Sequence, residues 1–130
     1  MDDETLARFI FSSRHIRHDR TVRPEAFMPR HGEGLSVVRH DDLREPGLWA
    51  VGKAMEQDRV DTLHGRSDVA AATFVAHHLR VAAAPTAVTI HHAEVIGWPD
   101  DKSARLLVAK KIAAKAGVAL EAPTSSGNTT

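Results

Sequence analysis

The sequence contains no cysteine, and that one absence excludes a disulfide framework, zinc held by thiolates and a cysteine nucleophile. Long apolar runs are missing as well. The longest small or apolar stretch, Val69 to Ala76, is interrupted by Thr73 and falls far short of the ~20 residues that cross a bilayer. The first residues, Met1-Asp2-Asp3-Glu4, are acidic where a secretory leader would be basic, so the expectation is a cytoplasmic protein without membrane association. Net charge is also absent. Seventeen basic residues balance seventeen acidic ones, which leaves the whole molecule no field to draw it onto duplex nucleic acid or anionic lipid.

What is present fits one core. A chain of 130 residues has the length of a single domain that needs no metal or disulfide staple. Residues 1–120 are read as that domain and residues 121–130 as a disordered tail with almost nothing to bury. Phe9-Ile10-Phe11 is β-prone and closed by Ser12-Ser13, which favours a strand over a competing short helix. Pro24, Pro29, Gly32 and Gly34 make 14–34 irregular, pinned to the core at Phe27. Leu35-Ser36-Val37-Val38-Arg39 reads as a strand. Behind Pro46, Leu48, Val51 and Met55 recur at helical spacing and give a helix over about 46–57, which Gly52 is expected to weaken by roughly 1 kcal/mol relative to alanine.

Further along, Arg59 to Leu63 is read as a short strand, and Ser67-Asp68 as the cap of a helix over Val69 to Leu79. β-Branched residues at 89, 90, 95 and 96 give a strand at 91–97. Asp100-Asp101 cap a last helix at about 101–116, with Ala104, Leu107, Val108 and Ile112 along one side and Gly117 as its stop. Together these predict an α+β fold, a small mixed or antiparallel sheet covered on one face by about three helices.

Charge type is segregated along the chain. Between Arg14 and His31 there are five arginines, two acids and no lysine, and arginine is the base suited to bidentate anion contacts. Nine histidines invite a metal assignment, but their spacing does not support one. The arginines around His15 and His18 would repel a cation, and adjacent histidines such as His91-His92 point to opposite faces of a strand. No metal site is therefore assigned. The sequence also lacks a His-Glu-x-x-His motif, a calcium loop, a Walker loop, a dinucleotide glycine fingerprint and a Gly-x-Ser-x-Gly elbow, so no motif identifies a cofactor and its nature is left open.

The constellation with chemical content joins three segments. If the Arg14-His15 end of the first extended segment and the segments 35–39 and 92–97 are neighbouring strands, alternation brings Arg14 or His15, Ser36 and His92 or Glu94 to one end of a sheet, which makes His15, Ser36, His92 and Glu94 the candidate catalytic groups and Arg14, Arg17 and Arg39 anion-binding candidates. Gly65-Arg66-Ser67, read as a turn leading into a helix, adds Arg66 as a further anion contact.

The order Ala26-Phe27-Met28-Pro29, Leu35-Ser36-Val37, Gly65-Arg66 and His92-Ala93-Glu94-Val95-Ile96-Gly97 resembles the layout of a group of small uncharacterised bacterial proteins, over Phe11 to Ala116. The resemblance implies a bacterial origin and a compact domain, and supplies no activity. The functional expectation is a non-catalytic accessory or interaction module that joins a protein partner or forms a homo-oligomer. The alternative is a small enzyme or binder acting on a phosphate-bearing ligand, a nucleotide, NAD or an RNA end, through an Arg/His site.

Overall fold

The structure, a computed structural model, describes residues 4–123. Six strands form one sheet: β1 (Thr5–Ile10), β2 (Leu35–Arg39), β3 (Gly65–Ala70), β4 (Arg80–Ala83), β5 (His92–Ile96) and β6 (Leu120–Glu121). Their spatial order is β4-β5-β2-β1-β3-β6 and every pairing is antiparallel. Three helices accompany it, α1 (Glu45–Arg59), α2 (Ala71–Val75) and α3 (Lys102–Lys115), with 3-10 turns at Ser13–His15 and Pro24–Phe27. The fold is thus α+β, with the antiparallel form of the sheet.

The helices cover both faces of the sheet, not one. Successive strand residues face opposite ways, and β1 is apolar on both sides. Leu6 and Ile10 enter a core with Leu35, Val37, Val69, Phe74, Ala109 and Ile112. Ala7 and Phe9 enter a second core with Val38, Leu48 and Leu63. Helices α2 and α3 therefore close one face and α1 the other. Phe27, as expected, is fully buried.

Gly52 shows why α1 lies where it does. A Cβ at this position would sit 2.6 Å from Phe9 Cε1, so the missing side chain lets the helix close onto β1, while Trp49 meets Phe9 edge-on at 6.0 Å.

Three local expectations give way to tertiary pairing. Residues 65–70 form strand β3, not the start of a helix, because they ladder with β1 over six positions from Thr5↔Ala70 to Ile10↔Gly65; that pairing outweighs the capping preference of Ser67-Asp68. Ser67 Oγ instead donates to the Gly117 carbonyl at 2.6 Å, and the helix is reduced to Ala71–Val75. The strand expected over 59–63 does not form, since α1 runs on to Arg59 and Val60 caps it. Helix α3 is capped by Asp101, which accepts from Ala104 N, but it presents Arg105, Ala109 and Ile112 inward and leaves Leu107 55% exposed. The buried line is rotated toward the small Ala109, which permits close packing on the Pro24–Phe27 turn. Residues 124–130 of the expected tail lie outside the described residues, and Glu121 at its start is in β6, paired with Gly65.

The feature that positions the site is a split in the sheet. Strand β1 pairs with β2 only at Leu6↔Arg39 and Ala7↔Val38, then parts from it. Beyond Ala7, main-chain groups of β2 need other partners.

Candidate functional site

Arg8 fills the split. It occupies the same face as Leu6 and Ile10, toward the larger core, and its guanidinium bonds to main-chain carbonyls: Nε donates to Ala26 O at 2.8 Å and Nη1 to Ser36 O at 2.9 Å. Among the described residues no carboxylate pairs with it. Burial pulls its pKa down to about 10, and the charge of Arg59 pushes the same way. A charge partly withdrawn from water without a counterion is unfavourable unless something compensates it.

The space beside Arg8 is a slot of about 120 Å³ whose walls include Phe11, Ser12, His15, Ala26, Arg59 and Asp61. Arg59 lies over the Phe11 ring at 4.2 Å and reaches Asp61 Oδ2 from two nitrogens, each at 3.4 Å. Between these two residues Val60 has φ +59, a left-handed conformation that is costly for a β-branched side chain. The strained residue therefore sets the directions of two slot side chains. His15 is half-buried, and its pKa is lowered first by burial and then by the charge of Arg8, against an opposing pull from Glu25. Its imidazole is neutral at pH 7.

His15 is shared with a second, larger depression of about 1140 Å³, open to solvent and lined by Arg14, Arg17, Arg20 and Arg23 with His18 and His64, against Asp19 and Glu25. The segment folds into this shape through a bridge between Ile16 and Val22 and through Asp19, which accepts from the Thr21 amide and hydroxyl. That hydroxyl bond is the main reason the Asp19 carboxyl titrates below its ordinary range. Arg20 is tied to the Ala119 carbonyl, and Arg17 to Thr21 and Val22. Arg14 and Arg23 are exposed.

The structure therefore brings His15, Arg14 and Arg17 together and places the other sequence-derived candidates elsewhere. Ser36 and Glu94 lie opposite each other across β2 and β5 on a separate pocket of about 520 Å³ that also contains Gly34, Trp98 and Arg105. A Cβ on Gly34 would meet Glu94 Oε1 at 2.8 Å, so this glycine allows the carboxylate to lie against the main chain. His92 is on the same face of β5 as Glu94 but is buried, with Nδ1 2.8 Å from the Ala84 carbonyl; the carbonyl accepts, so Nδ1 carries the proton. Arg39 is paired with Glu4 at 3.5 Å.

Arg66 belongs to the fold. It lies in strand β3 with no helix start following it, 1% exposed, and is held by Asp68 and Glu45 and stacked beneath Trp49 at 4.9 Å. Burial works against its charge, but the bonds to Glu45 and Asp68 outweigh that and raise its pKa. His40 extends the network to Asp68 at 3.1 Å.

Sequence reasoning missed Arg8, Arg59 and Asp61. One signal was available for Arg8: positions 6, 8 and 10 share a strand face, and a charged residue between Leu6 and Ile10 breaks an otherwise apolar alternation. For Arg59 and Asp61 no local pattern existed, because the approach of the α1 terminus to β1 is a tertiary event.

Among the described residues, no group of three or more His, Asp or Glu side chains is arranged to hold a metal ion, and no helix is long and apolar enough to cross a membrane. No protein-family model matches the chain, and no curated protein or solved structure shows similarity to it. Fold and site together define a small α+β domain in which a partly buried arginine, without a carboxylate partner among the described residues, lies beside a basic surface.

Proposed function

We propose that this protein is a binding module for a phosphate-bearing ligand, which it takes with a phosphate group in the slot beside Arg8 and the rest of the molecule along the arginine groove. The observation that supports this reading is Arg8, a partly buried guanidinium with two carbonyl partners and no carboxylate among the described residues. An oxyanion would supply the missing charge and accept from two arginines at once. The slot, at about 120 Å³, holds roughly four waters at about 30 Å³ each, the room a tetrahedral oxyanion needs.

The test is thermal unfolding in phosphate-free buffer against phosphate, nucleotides and NAD. Ligand at a hundredfold excess over Kd stabilises by about 2.7 kcal/mol, and Arg8→Met should abolish the response. A flat response to the whole panel contradicts the reading.

A second reading, an accessory module that docks a protein partner or another copy of itself, draws support from β4. Among the described residues Arg80–Ala83 forms a sheet edge bonded on one side, to β5, and such an edge can accept a further strand. Light scattering tests it, with a strictly monomeric protein that retains no partner as the contrary result.

A further inference from the structure

We infer that the ligand carries at least two linked phosphates, one in the Arg8 slot and the next on the arginine groove, and that it is a condensed phosphate and not a nucleic-acid end. The inference rests on the phosphate-binding reading above. Three observations carry it further.

The first is continuity. His15 lines both the slot and the groove, so a group seated beside Arg8 emerges directly onto the arginines.

The second is charge. In the slot, Arg8 and Arg59 against Asp61 leave one positive charge. In the groove, four arginines against two acids leave two more. A single phosphate brings about −1.5 to −2 and leaves this surface positive, whereas two linked phosphates balance it.

The third is the chemistry of the groove wall, which has no Phe, Trp or Tyr among the described residues that line it. Single-stranded nucleic acid is held by stacking bases on aromatic rings, imidazole included, and on guanidinium planes. Of these the wall offers only imidazole and guanidinium, whose charge favours phosphate oxygens over bases.

The experiment is calorimetric titration of the full chain with inorganic phosphate, pyrophosphate and a 5′-phosphorylated RNA trinucleotide. Pyrophosphate should bind up to about tenfold more tightly than phosphate, since two added exposed charge pairs contribute up to about 0.7 kcal/mol each. Arg14→Gln with Arg23→Gln changes two exposed side chains and should bring pyrophosphate down to the affinity of phosphate while leaving phosphate itself unaltered. Arg8→Met should abolish binding of both, and Arg59→Gln, at an exposed position, serves as a second slot variant should Arg8→Met fail to fold. Equal affinity for phosphate and pyrophosphate, with phosphate still dependent on the slot, overturns this inference and leaves the phosphate reading standing. A trinucleotide that binds more tightly than pyrophosphate overturns it in favour of an RNA end. No binding of phosphate or pyrophosphate overturns both.

Discussion

Nη1 of Arg8 donates to the main-chain carbonyl of Ser36 at 2.9 Å, across the gap where β1 and β2 cease to pair. A side chain thus satisfies a carbonyl left without a ladder partner, and the same side chain brings a positive charge between two strands. The architecture of the sheet and the chemistry of the slot share this one residue.

Arg8→Met should therefore lower stability as well as remove ligand binding. Two carbonyls lose their donor, which costs about 1–3 kcal/mol for each group left unsatisfied, offset in part because a partly buried charge disappears. Denaturant unfolding should show a net loss. Unchanged stability together with a preserved phosphate response would remove Arg8 from the site.

Gly52→Ala should destabilise. In an exposed helix this change gains about 1 kcal/mol, but here the new Cβ meets Phe9 at 2.6 Å and Leu63 Cδ2 at 3.1 Å, and overpacking costs typically 1–3 kcal/mol. A raised melting temperature would mean that α1 can move off β1 freely.

The same position shows how far the sequence could be read. Helix α1, strands β2 and β5, the buried Phe27 and the Asp101 cap were all legible, because each depends on local pattern or capping chemistry. The conversion of 65–70 into a strand was not, since Ser67-Asp68 carries a good capping signal that only the six-residue ladder with β1 overrides. For the site, the arginine concentration at 14–23 and His15 were visible as composition. Their meeting with Arg59 and Asp61 depends on where α1 ends, and the role of Gly52 as a contact point depends on Phe9, more than forty residues away in sequence.

Val60→Gly should move stability and binding in opposite directions. Relief of the left-handed valine at φ +59 recovers about 1–2 kcal/mol, of which the more flexible unfolded chain takes back about 0.4–1. The looser turn holds Arg59 and Asp61 less firmly, so the phosphate response should weaken as the melting temperature rises. If both rise together, the strain has no part in the site.

The pH dependence follows from His15. Its folded-state pKa lies below the ordinary value of 6.5, so below that pH the unfolded chain binds the proton more readily than the folded one. The stability this group contributes is therefore complete above pH 6.5 and is lost as pH falls toward the lowered folded value. A bound anion favours the protonated ring, so affinity should rise over the same interval. Sulfate is the suitable probe because its charge is constant there. His15→Gln should remove both effects, and a sulfate affinity independent of pH between 7 and 5.5 would contradict the placement of His15 at the site.

The most direct measurement is the NMR resonance of the Arg8 Nε–H group, which is bonded to Ala26 O at 2.8 Å, followed as inorganic phosphate is added to the full-length protein. Saturable shifts at Arg8 and Arg59, absent in Arg59→Gln at the same phosphate concentration, are the expected result. Shifts spread over Arg14, Arg17 and Arg23 with Arg8 unmoved would show a solvated basic surface and contradict the slot.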